Sequence, residues 1–197
     1  MIVLDIMKGG LNLSDIKNIR MIAAGASLAA MTCVATMVIK IPTPTMGYVH
    51  PGDCFVLLAG FTLGSVTGGI SAGIGSMLSD LLGGYAAWAP GTFIIKFLTA
   101  YVAALVFRVL SGNNNMRLPL KAVLAGAAGE IVMITGYFLY NILVITVINS
   151  GSEAVAVGAA VTQSAAEIPF NIAQGLTGIV LAAALIPVLE KINPAAK

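Results

Sequence analysis

Charge is what this sequence has least of. Asp, Glu, Lys and Arg make up 9% of its 197 residues, where a soluble domain carries about a quarter. Too few polar side chains remain to cover a water-facing surface, which excludes an ordinary soluble fold. Cysteine is scarce as well: Cys33 and Cys54 give no disulfide framework and read as small core residues. With no CxxC pair and a single histidine, His50, there are no residues for a metal cluster. A serine-type intramembrane protease needs a histidine base inside the bilayer, and a zinc protease needs HExxH; the chain has neither, so it reads as no enzyme, with no catalytic residues. No GxxxxGKS/T loop is present to bind ATP. The formal net charge of +2 is too small to suggest nucleic acid.

Apolar residues fill the space left. They account for 58% of the chain, and the mean hydropathy is +0.98. Stretches of about 20 apolar residues are the length of a membrane-crossing helix. The sequence predicts an all-α polytopic membrane protein, a bundle of six transmembrane helices forming a single membrane domain over 1–197. The expected spans are 19–39, 52–66, 69–82, 90–110, 119–148 and 162–189. Pro42 and Pro44 end the first, and Pro90 sits in the first turn of the fourth, where proline is tolerated. Pro169 and Pro187 introduce kinks into the sixth. Residues 111–116 are a polar loop, and 149–158 a polar link.

Six spans place both termini on one side. Lys8, Lys17, Arg20, Arg108, Arg117, Lys121, Lys191 and Lys197 then share that side, and only Lys40 lies opposite. The positive-inside rule makes it the cytoplasm, with the chain in the cell membrane. Residues 1–18 mix charged with apolar residues and lack the unbroken apolar run of a cleavable signal, so they are expected as a short cytoplasmic surface segment. On the outer side, 40–51 is stiffened by Pro42, Pro44 and Pro51 and is expected to form a lid.

Ionisable residues within spans are costly and face a cavity or a partner. Asp53 and Asp80 lie at the outer ends of the second and third helices, and Lys96 about two turns into the fourth. Glu167, Asn171 and Gln174 share one face of the sixth, while Tyr137, Tyr140 and Asn141 occupy the outer half of the fifth. With Tyr48, His50 and Trp88 these residues outline an outward-opening chamber suited to a flat polar ring. Other readings stand beside this one. Lys96 instead pairs with Asp80 or Glu167 for stability, Tyr48 and Trp88 are interfacial anchors, and His50 is a plain loop residue. Glu130, deeper in the fifth helix, either hydrogen-bonds within the bundle or forms the chamber floor. Small residues at Gly60, Gly64, Gly68, Gly69, Gly73 and Gly75 read as helix packing. Ala23, Ala26, Ser27 and Ala30 form a further small face on the first helix.

The run Ile41-Pro42-Thr43-Pro44-Thr45, then Gly47-Tyr48-Val49-His50-Pro51-Gly52-Asp53, then Ser79-Asp80-Leu81-Leu82-Gly83-Gly84-Tyr85, resembles the substrate-binding S components of energy-coupling factor (ECF) vitamin transporters. Trp88-Ala89-Pro90, Ile94-Ile95-Lys96 and Pro169-Phe170-Asn171 with Gln174 continue the likeness over nearly the whole chain. It is most similar to the branch for hydroxymethylpyrimidine, pyridoxine or riboflavin. The resemblance implies a six-helix bundle that binds its vitamin beneath the first outer loop and docks on a transmembrane coupling subunit through an AxxxA face, here Ala26 and Ala30. It also implies two cytosolic ATPases that supply the ATP-driven step, so that no cofactor belongs to this chain. The polar set suits a single ring, hydroxymethylpyrimidine or pyridoxine, better than a tricycle. Riboflavin, pantothenate and a stand-alone secondary transporter remain the alternatives.

Overall fold

A computed structural model describes residues 13–43, 47–149 and 157–192. Among these residues seven helices follow in order: α1 (Leu13–Val38), α2 (Asp53–Leu63), α3 (Ser65–Gly83), α4 (Ala89–Ser111), α5 (Leu118–Asn149), α6 (Val157–Ala166) and α7 (Ile168–Ile192). Two short strands, β1 (Ile41–Pro42) and β2 (Tyr48–Val49), stand between α1 and α2. The helical class holds, with this antiparallel hairpin, Ile41 opposite Val49 and Pro42 opposite Tyr48, as its one departure among the described residues. Residues 1–12 of the expected surface segment, the lid tip at 44–46 and most of the 149–158 link lie outside the described residues. From Leu13 onward the chain already belongs to α1.

The short α2 is the axis of the bundle. It packs on α1, α3, α4 and α7, while α1–α3, α3–α4, α4–α5 and α5–α7 contacts build the surround. Leu57 and Leu58 of α2 are closed in by Ala103, Ala122, Ile179, Ala182 and Ile186. Helix backbones come close because small residues stand at the crossings. A Cβ on Gly60 would lie 2.5 Å from the Ala100 carbonyl oxygen, so this position admits only glycine at the observed spacing. The usual inside–outside order is reversed. Ile22, Val34, Val109, Ile131 and Val180 point outward and exposed, whereas Asp53, Lys96, Glu130 and Gln174 are buried. That distribution suits a hydrocarbon surround.

Two boundaries differ from expectation. The second helix stops at Leu63 and the third starts at Ser65, joined through Gly64 alone at φ 80°, a left-handed backbone that glycine adopts without steric cost. At 11 residues, α2 is about 16 Å long, short of a hydrocarbon core of about 30 Å. Four stretches are long and apolar enough to cross one: Ile16–Val38, Ala89–Ser111, Leu118–Val147 and Val157–Leu189. The final helix begins at Val157 and breaks at Glu167 instead of kinking within one rod. Pro169, in the first turn of α7, offers no N–H to the Ala165 carbonyl, so a continuous helix would lack that bond. The chain tightens there, with the Glu167 N–H bonding the Ser164 carbonyl at 3.2 Å. Pro187, by contrast, is accommodated inside α7.

Candidate functional site

The break at Glu167 and several helix ends converge at one end of the bundle, opposite Leu13 and Ile192. The hairpin, the C-terminal end of α3, the N-terminal end of α4, the second half of α5 and the α6–α7 junction meet there. Between them lies a cavity of about 510 Å³, mouth included. Its lining is Gly47, Tyr48 and His50 from the hairpin segment; Asp80 and Tyr85 from α3 and the turn after it; Trp88 and Thr92; Tyr137 and Asn141; and Glu167, Asn171 and Gln174.

Aromatic rings form one wall. Tyr48 and Tyr85 have centroids 5.0 Å apart, and Tyr85 and Trp88 meet edge-on at 6.0 Å. Three polar tips are held in place: Tyr48 donates to Asp80 Oδ1 at 2.7 Å, the Trp88 indole N–H to Asn141 Oδ1 at 2.9 Å, and Tyr137 to Thr92 Oγ1 at 3.2 Å. Burial, reinforced by Asp80, raises the Tyr48 hydroxyl well above the phenol range, so it stays a donor. Fixing the tips fixes the rings, and a rigid slot costs a ligand less ordering entropy.

Beneath the slot is a charged layer sealed from solvent. Lys96 of α4 donates to Asp53 Oδ1, both side chains being 0% exposed. Gln174 donates to Asp53 Oδ2 at 2.7 Å, and its oxygen accepts the His50 backbone N–H at 3.3 Å. One amide therefore ties the base of the hairpin segment to the core ion pair. The Gly52 N–H donates to His50 Nδ1 at 3.1 Å, which leaves the ring proton on Nε2. Burial holds the His50 pKa down to about 3, so the imidazole is neutral. Glu130 lies beside Gly175, buried, with neither carboxylate oxygen bonded among the described residues.

The hairpin segment is fastened at the helix break. Thr43 donates to Glu167 Oε1 at 2.6 Å, and a Cβ on Gly47 would come within 2.8 Å of Glu167 Oε2. The interruption that Pro169 imposes is thus what presents Glu167 to the hairpin. Outside the rings, the Lys40 ammonium stands 4.4 Å from the Tyr48 centroid and 5.3 Å from that of Tyr85.

Of the residues expected in the chamber, Tyr48, His50, Asp80, Trp88, Tyr137, Asn141, Glu167, Asn171 and Gln174 share one hollow. Asp53 and Lys96 do not reach it. They neutralise each other below the floor, so the partner of Lys96 is neither Asp80 nor Glu167. Gly47, Tyr85 and Thr92 line the cavity unforeseen. Thr92, one turn before Lys96 on the same face, was within reach of helical spacing. Tyr140 instead donates to the Ala87 carbonyl at 3.0 Å. On α1, Ala23, Ala26, Ser27 and Ala30 lie toward the outside of the bundle, while Gly25, Ala29 and Thr32 face its interior. Among the described residues no group of His, Cys, Asp or Glu could hold a metal ion.

Comparison with known proteins adds the following. Residues 16–191 match the family described as the ECF-type riboflavin transporter, S component. A protein of Pyrococcus woesei, described as an uncharacterized protein in gap 3′ region, is 31% identical over 159 residues, covering 80% of this chain and 93% of that protein. A solved structure described as the structure and mechanism of the S component of a bacterial ECF transporter aligns with a TM-score of 0.61 at 23% identity, covering 89% of this chain and 98% of the other. At that identity the likeness is one of fold.

Proposed function

The chain belongs to the S-component family of ECF-type transporters, and from that premise we propose that its cavity captures a small ring-containing vitamin or precursor, hydroxymethylpyrimidine or pyridoxine before riboflavin, for ATP-driven import. The family is one of transporter subunits and not of enzymes. The observation that carries the reading is the cavity itself: a slot with an aromatic wall, hydrogen-bonding groups around it and a latched hairpin above. Asn171 lines the cavity from a half-buried position, where its amide can meet a ring edge. Riboflavin, named in the family description, is the second reading. The many polar groups set around the slot favour one ring over three fused ones.

In this reading the protein crosses the membrane six times, with α2 and α3 as the second and third passes and α6 with α7 as the sixth. Both termini are cytoplasmic, and the cavity opens outward. A transmembrane coupling subunit docks on Ala23, Ala26, Ser27 and Ala30, and two cytosolic ATPases drive release. The small outward face of α1 supports the docking, since small residues permit close helix approach in lipid.

Thermal-shift measurements on purified protein against a vitamin panel test the ligand. Stabilisation by hydroxymethylpyrimidine or pyridoxine is expected, and stabilisation by riboflavin or pantothenate alone overturns the single-ring reading. Uptake into proteoliposomes should need the ATPases and coupling subunit; uptake driven by an ion gradient alone would instead establish a secondary transporter.

A further inference from the structure

The charge lining the cavity is of one sign. Asp80 and Glu167 belong to the lining, and no Lys or Arg does. His50 is held neutral by burial and supplies no compensation. The two positive charges nearby reach Asp80 only through space and make their close contacts elsewhere. Lys96 is committed to Asp53 beneath the floor, and Lys40 lies over the rings of Tyr48 and Tyr85. Lys96–Asp53 is the one salt bridge among the described residues, so Asp80 has no ionic partner there.

The contrast between the two aspartates is informative. Asp53, 0% exposed, receives an ammonium and an amide. Asp80, 4% exposed, has only neutral donors beside it, the Tyr48 phenol on Oδ1 and the Thr92 hydroxyl. Its Oδ2 has no hydrogen bond among the described residues. A buried carboxylate oxygen without a donor costs free energy that a ligand can relieve. Asp80 shares the cavity lining with Tyr48, Tyr85 and Trp88, whose ring quadrupoles favour a positive charge.

From this juxtaposition we infer that the chamber selects a cation: a flat ring bearing an ammonium group, donated to Asp80 Oδ2 and enclosed by the aromatic wall. The inference rests on the capture function proposed above and narrows its substrate class. Glu167 keeps its own task, holding Thr43 of the lid.

Matched probes separate charge from shape. Pyridoxamine and pyridoxine differ by an aminomethyl for a hydroxymethyl group, and 4-amino-5-aminomethyl-2-methylpyrimidine differs from its hydroxymethyl counterpart in the same way. Titration calorimetry of the full chain in nanodiscs should show at least one aminomethyl compound binding about tenfold or more tighter than its partner. Asp80→Asn, which keeps the acceptor for Tyr48, should reduce that preference to about threefold or less. Asp80→Ser, smaller and also uncharged, serves as the second variant should Asp80→Asn fold poorly. Equal or tighter binding of the hydroxymethyl compounds by the parent overturns the cation inference and leaves vitamin capture standing. A preference that survives loss of the Asp80 charge overturns the assignment to this carboxylate. Binding of none of the four, nor of any vitamin in the panel, removes the capture reading and this inference with it.

Discussion

Replacing Lys96 by methionine keeps the length of the side chain and deletes its charge. Lys96 and Asp53 are both 0% exposed and bonded directly. Lys96→Met leaves the Asp53 carboxylate with the Gln174 amide as its remaining strong donor. Breaking a buried pair by removing one partner costs about 3–5 kcal/mol, because an uncompensated charge stays in a low dielectric. For a chain of this size that corresponds to a fall in Tm of roughly 6–20 °C. Asp53→Asn should do comparable harm by stranding the ammonium. The double variant removes both charges, and the amide introduced by Asp53→Asn would still accept from Gln174, so it should recover to within about 1–2 kcal/mol of the parent. Thermal unfolding of all four proteins in nanodiscs completes the cycle. If Lys96→Met shifts stability by less than about 1 kcal/mol, or the double variant is no better than the sum of the singles, the buried-pair reasoning fails.

Acid should weaken the fold. The His50 pKa is lowered from 6.5 to about 3, so the unfolded chain takes up a proton that the folded chain refuses. Stability is full above pH 6.5 and declines as pH falls toward 3; in His50→Asn, whose amide oxygen can replace Nδ1 as acceptor for Gly52, the His50 share of that slope should vanish, and an unchanged slope would assign it elsewhere. Gly60→Val would drive a Cβ to 2.5 Å from the Ala100 carbonyl oxygen and should destabilise by about 1–3 kcal/mol or more through overpacking, measured by the same thermal assay; a neutral result would mean that α2 and α4 separate freely. Thr43→Val removes the 2.6 Å bond to Glu167 and should speed ligand release by roughly fivefold to tenfold, followed by stopped-flow fluorescence of the single tryptophan, Trp88; an unchanged rate means the latch does not hold the lid. Ala26→Leu with Ala30→Leu should abolish pull-down of the coupling subunit while ligand binding persists, and unchanged association rejects docking on that face.

The sequence disclosed the membrane class because scarcity of charge is a property of composition, and it disclosed the chamber because polar side chains in an apolar chain are few enough to be grouped by helical depth. Glu167, Asn171 and Gln174 show this well: three- and four-residue spacings put them on one face, and the cavity meets all three. The fate of Asp53 was hidden. Its position at the start of α2 suggested the outer surface, but α2 is the central helix, and its first turn is already covered by Lys96 and Gln174. Depth along a helix is legible from sequence, whereas depth within the bundle depends on which helix others surround. The break before Pro169 was placed within a few residues yet read as a kink. What turns it into a functional feature is the Thr43–Glu167 bond, 124 residues apart in sequence, and no local pattern announces such a contact. Gly47 and Tyr85 enter the cavity through the hairpin and a turn, where helical periodicity gives no guidance.

The central claim is that a ligand occupies the slot between the aromatic wall and the α6–α7 junction. Asn171→Trp fills that slot from a half-buried position at its edge. Calorimetric titration of the parent and this variant, with the ring compound that stabilises the parent most, tests the claim directly. The account predicts saturable one-to-one binding in the parent and its loss in a variant of normal Tm. Undiminished binding in Asn171→Trp would contradict it.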